Sequence, residues 1–139
     1  MSQRIIWQSK NVELPQLDFQ HLEDWIERVA ASHGRIIGNL SYIFCDDEYI
    51  LEVNKQFLEH DYFTDVITFD YCTRKMLRGD MVISLDAVRT NAELVGATYD
   101  DELLRVIIHG ILHLCGIDDK APGAREIMEG FENQALAIY

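Results

Sequence analysis

The chain has no unbroken apolar run of about 18 residues, so no membrane span is expected. Its opening, MSQRIIWQSK, lacks the apolar segment of a secretion signal, which points to the cytoplasm. Cysteine is scarce: Cys45, Cys72 and Cys115 are odd in number and show no C-x-x-C spacing. That excludes a disulfide scaffold and reads as buried free thiols in a reducing compartment. Cations are also few, 12 Lys and Arg against 24 Asp and Glu, giving a net charge of −12. A surface coated in phosphate-binding side chains is excluded, and any contact with nucleic acid must concentrate the few cations present. No repeat, low-complexity tract or linker interrupts the 139 residues, so a single domain over 1–139 is expected. With 48% hydrophobic residues, a chain of this length can bury a core without disulfides.

The pattern predicts elements in the order β-α-β-α-β-β-α-α-α. This is an α+β domain in which about five helices pack on a roughly four-stranded mixed sheet. Ile5–Trp7 is a short strand. Asp18 caps a helix from Phe19 to His33, with Leu22, Trp25 or Ile26, and Val29 inward and Gly34 stopping it. Leu40, Tyr42 and Phe44 alternate within a strand from Arg35 to Cys45. Asp46 or Asp47 then caps a helix that sets Ile50, Val53 and Phe57 on one side. Thr64–Tyr71 and Met81–Leu85 read as strands. The stretch between them is read as a loop carrying three cations, Arg74, Lys75 and Arg78, either a solvated hairpin tip or a grip for phosphates. Asp86–Val95 is a helix with Val88, Ala92 and Val95 facing in. A closing helix spans Ala121–Ile138, with Pro122 in its first turn and Ile127, Phe131 and Leu136 inward.

The most informative stretch is TYDDELLRVIIHGILHLCGIDDK, from Thr98 to Lys120. Thr98 caps a helix, three acidic residues follow in its first turn, and Gly116 ends it. Between those ends the helix is apolar almost all round, so it is expected to be buried. Yet Arg105, His109 and His113 fall at i, i+4 and i+8, one stripe on one face. A buried polar stripe has to be bonded, paired or bound to something. Two imidazoles one turn apart can share a metal ion, and past the Gly116 turn Asp119 offers a third ligand. The plainer readings are core histidines and an ordinary Asp-Asp turn.

HGILHLCGIDD resembles the signature HGxLHLxGYDH of the YbeY family of metal-dependent endoribonucleases that mature ribosomal RNA. The matching residues are His109, Gly110, Leu112, His113, Leu114, Gly116 and Asp118. NKQFLEHDYFTDVITF resembles a second family stretch through Asn54, Asp61, Thr64, Asp65, Val66 and Phe69, and GDMVIS, from Gly79 to Ser84, resembles a family strand. The resemblance implies a zincin-like metal helix with one zinc ion (Zn2+) on His109, His113 and Asp119. Asp119 stands where the family has a third histidine, a change that hardens the site toward manganese or iron. Leu58 stands where the family carries an arginine, so either a neighbour such as His60 or Arg105 substitutes or that arginine's contribution is absent. The resemblance further implies single-strand-specific cleavage in maturation of the 16S ribosomal RNA 3′ end and in ribosome quality control. Ribosomal RNA, the small ribosomal subunit and ribosome-associated proteins are the implied partners, with no DNA and no membrane.

Three protein ligands leave a fourth position for a metal-bound water. Candidate acids or bases are Asp65, Asp118 and His60. Asp118 has a second reading, holding a ligating histidine in orientation. Gly110 occupies the place where zinc proteases of the HExxH type carry their general base, which disfavours that mechanism. The order of ligands also differs from the H-x-D…H of the iron oxygenases. A metallohydrolase of another substrate class and a non-catalytic ribosome-binding factor stand as alternatives.

Overall fold

The computed structural model describes residues 5–58, 64–117 and 119–139, with the backbone alone at Leu58. The elements run β1 (Ile5–Ser9), α1 (Phe19–Ser32), β2 (Ile36–Cys45), α2 (Asp47–Leu58), β3 (Val66–Asp70), β4 (Met76–Ser84), α3 (Leu85–Val95), α4 (Tyr99–Leu114) and α5 (Ala124–Ala137). The strands form one sheet in the order β1-β2-β4-β3. β1 and β4 both run parallel to β2, and β3 closes the sheet antiparallel to β4. The parallel pairings require crossovers, and the helical segments between those strands supply them.

Strand alternation divides the core in two. Leu77, Met81 and Ile83 of β4 point into a large cluster with residues of α1 and α4, among them Trp25, Ile26, Ile107 and Ile111. Val82 points the other way and joins Ile50, Val53 and Ile67 beneath α2. The sheet is therefore a middle layer, with α2 on one face and the large core on the other. α4 is tied to the sheet by more than apolar contact: the buried Tyr42 hydroxyl donates to the Ile107 carbonyl at 2.8 Å. At Gly110 the helix comes so close that an added Cβ would lie 2.9 Å from Met81 Cγ. Glycine there serves packing.

Three predicted caps form. Asp18 accepts from the His21 N–H, Asp46 from the Tyr49 N–H and Thr98 from the Asp101 N–H. Gly116, at φ 93°, follows the end of α4.

Several expectations are corrected. β4 begins at Met76, five residues before the expected Met81, because this stretch pairs with β2 on one side and β3 on the other. Arg78 thus lies in a strand, leaving Arg74 and Lys75 in the connection. α5 starts at Ala124 after Gly123 at φ 81°, so Pro122 precedes the helix. Its buried stripe is Ala124, Met128, Glu132 and Ala135, while Ile127 is 59% exposed. Phe131 and Leu136 are half-buried and pack against the large core as expected, flanking a fully buried stripe that includes a carboxylate. Val95, at the last turn of α3, and Phe57, near the end of α2, are exposed rather than inward. Phe57 meets the Phe69 ring of β3 edge to face. Of the three free thiols only Cys45 is buried; Cys72 and Cys115 are half-buried.

Candidate active site

α4 presents His109 and His113 one turn apart, both half-buried. The turn at Gly116 sends the chain back so that Asp119 Oδ2 comes to 3.4 Å from His109 Nε2. On the other side of the ring, His109 Nδ1 lies 2.7 Å from Glu132 Oε2. Glu132 belongs to α5 and is only 5% exposed. Its second oxygen, Oε1, accepts from Arg105 Nη1 at 2.8 Å, and Arg105 Nη2 donates to Asn133 Oδ1 at 2.8 Å.

The charges here reinforce one another. Burial alone lowers the pKa of His109, but the Glu132 hydrogen bond and charge, with Asp119 and Asp65 behind them, raise it above 6.5. Burial alone raises the pKa of Glu132, but His109 and Arg105 hold it below 4.5. With Nδ1–H given to Glu132, a neutral ring aims the Nε2 lone pair at the Asp119 carboxylate. Two acceptors facing each other at 3.4 Å repel unless a proton or a cation lies between them. Two ligands about 2.0–2.2 Å from one tetrahedral ion are about 3.4 Å apart, so this pair fits a zinc ion.

His113 is not drawn into that pair. It acts electrostatically on Asp70, at the end of β3. Burial there raises the Asp70 pKa, while hydrogen bonds from Cys72 and then the His113 and Arg35 charges carry it down. Among the described residues, no three His, Cys, Asp or Glu side chains form a group able to hold an ion as they stand.

Asp65 accepts from Asn91 Nδ2 at 3.3 Å and, through its backbone carbonyl, from the Ser84 N–H at 2.9 Å. It lines an open pocket with Asp47, Thr64, Ala87, Thr90 and Asn91, within electrostatic reach of His109. His60 and Asp118 lie outside the described residues. Arg74, Lys75 and Arg78 are all exposed. Arg105 does not replace the missing arginine as an unengaged cation, because its guanidinium is committed to Glu132 and Asn133.

Two residues escape a reading of sequence. Glu132 sits in an amphipathic helix among other acids and looks solvated. Arg35, at the start of β2, donates to the Cys115 carbonyl at 3.1 Å and so closes the C-terminal end of α4. Neither has a local signal; each depends on a partner at least 23 residues away.

A family model described as endoribonuclease YbeY matches residues 5–139. The chain belongs to the YbeY family. A relative named endoribonuclease YbeY from Bacteroides thetaiotaomicron is 60% identical over 134 residues, covering 96% of this chain and 98% of its own. Its namesake from Phocaeicola vulgatus is 57% identical, over 96% and 97%. One from Porphyromonas gingivalis is 47% identical over 135 residues, 97% of this chain and 89% of that one. A solution structure of a Thermotoga maritima protein superimposes with a TM-score of 0.66 at 25% identity, over 96% and 89% of the two chains. YbeY relatives thus carry the name of a hydrolase that acts on RNA phosphodiester bonds, and the α+β architecture is shared with a solved structure.

Proposed function

We propose that this chain is a metal-dependent endoribonuclease that cuts single-stranded RNA, acting on the 16S ribosomal RNA 3′ end in ribosome maturation and quality control in the cytoplasm. The observation that carries the reading is the His109 Nε2 to Asp119 Oδ2 approach at 3.4 Å, two ligand atoms converging beside an open surface. Membership of a family whose relatives are named endoribonuclease supplies the substrate class. His109 and Asp119, with His113 one turn along α4, would hold the ion, Zn2+ or the harder Mn2+ or Fe2+.

Bound there, the ion would supply Lewis-acid polarisation of a phosphoryl oxygen and a water of lowered pKa. The chain's own groups do the rest. Glu132 keeps the Nδ1 proton of His109, which leaves Nε2 as a ligand atom. Asp65, on the pocket side, is the described carboxylate available to take a proton from a nucleophile. Arg74, Lys75 and Arg78 bind phosphates along the strand, and ribosomal RNA with the small subunit provides the setting.

The test compares cleavage of a single-stranded RNA by the zinc-loaded protein with that of His113→Ala, folding being checked by circular dichroism. Loss of at least 100-fold in the variant, with fold retained, is the expected result. Equal cleavage by both overturns the reading. Binding without cleavage by the wild type would favour a ribosome-binding factor.

A further inference from the structure

Among the described residues, the buried polar side chains are Asn54, Ser84 and Glu132, and only Glu132 is a carboxylate. A carboxylate so placed is costly unless both oxygens are bonded. Both are, and to different ends: Oε1 takes Arg105 at 2.8 Å and Oε2 takes His109 Nδ1 at 2.7 Å. Had Glu132 only to neutralise Arg105, a two-pronged contact with the guanidinium would do it. Instead Arg105 divides its fork between Glu132 and Asn133, which fixes the carboxylate and turns its second oxygen toward the imidazole.

We infer that Glu132 is a positioning residue for His109: held by Arg105, which Asn133 anchors in turn, it confines the imidazole proton to Nδ1 and aims the Nε2 lone pair at the Asp119 side of the site. The inference rests on the reading of His109 as a metal ligand. A neutral imidazole carries its proton on either nitrogen, and a ring protonated on Nε2 cannot bind a cation there. A carboxylate acceptor at Nδ1 selects the competent tautomer and fixes the ring plane before any ion arrives. The relay runs through three elements: α5 supplies Glu132 and Asn133, α4 supplies Arg105 and His109, and the segment after Gly116 supplies Asp119. Arg105 and His109, one helical turn apart, meet the same side chain, so the spacing of the stripe on α4 matches the two oxygens of one carboxylate.

The experiment uses the full chain, free of metal and labelled with nitrogen-15 in its histidine rings, at alkaline pH where the ring is neutral. In the wild type, His109 should show a protonated Nδ1 and a bare Nε2. In Glu132→Ala that preference should be lost, and zinc affinity, measured by chelator competition, should fall about 10–100-fold. Glu132→Gln keeps an acceptor oxygen, so it should restore the tautomer and recover part of the affinity. If Glu132→Ala fails to fold, the wild-type ring carries the test by itself, because the inference requires its proton on Nδ1. A Glu132 that merely stabilised the fold would lower the melting temperature of both variants and leave the tautomer unchanged. A wild-type ring protonated on Nε2, or zinc affinity within twofold across the folded variants, overturns the inference. The ring measurement uses neither metal nor RNA, so its failure is separable from failure of the cleavage assay.

Discussion

Cys45 shows how far burial, aided by neighbouring carboxylates, can move a side chain's chemistry. Burial pushes its thiol from 9.0 up to about 12, with the charges of Asp46, Asp47 and Asp86 acting in the same direction. The unfolded chain loses this proton near pH 9, whereas the folded chain holds it until about pH 12. The thiol's contribution to stability is therefore complete below pH 9 and is lost as pH rises across that interval. Denaturant titrations should show a steep alkaline fall in stability that is shallower in Cys45→Ala, and iodoacetamide should leave Cys45 unmodified in the folded protein. An identical slope in the two proteins would contradict the account. At this scale the stripe on α4 is legible in sequence, because imidazoles at i, i+4 stand out against an apolar helix. Glu132 is not, because a glutamate's solvation depends on what faces it from another element.

Elements set the distances that residues exploit. α4 lies close over β4 because Gly110 presents no side chain to Met81. Gly110→Ala gains about 1 kcal/mol of helix propensity but crowds Met81 at a cost of about 1–3 kcal/mol. The expected net effect runs from neutral to a destabilisation of about 2 kcal/mol, measured by urea unfolding and reduced when Met81 is also shortened to Val. A variant stabilised by the full propensity gain would show that the helix has room to move. The caps at Asp18, Asp46 and Thr98 were readable because each is a local contact within three residues. The early start of β4 was not, since Met76–Asp80 contains a glycine and two charges and becomes a strand only by pairing with Ile36–Ser41 and Phe69–Asp70. On α5, Phe131 and Leu136 pack inward as their spacing predicts, whereas Ile127 is exposed and Glu132 is buried because its charge is met from α4.

The whole molecule carries a net charge of −12, so long-range attraction does not bring RNA to it and local cations must. Reversing Arg74, Lys75 and Arg78 to glutamate should weaken single-stranded RNA binding and lower the slope of log affinity against log salt by about 2. Fluorescence anisotropy at several salt concentrations reads both. An unchanged slope would place the phosphates elsewhere on the protein. The general architecture was legible because the alternation of strand and helix patterns fixes an α+β layering. The division of the core by the sheet, with α2 alone opposite the large cluster, follows from pairings between strands distant in the chain.

The placement of Glu132 on α5 has a temporal side. Of the described elements α5 is synthesised last, and Trp25 of α1 fastens its end through a 2.7 Å hydrogen bond to the Ala135 carbonyl. The contact that joins Arg105, His109 and Glu132 therefore forms only once α5 has docked on α4, so it marks the completed fold and not an early stage of it.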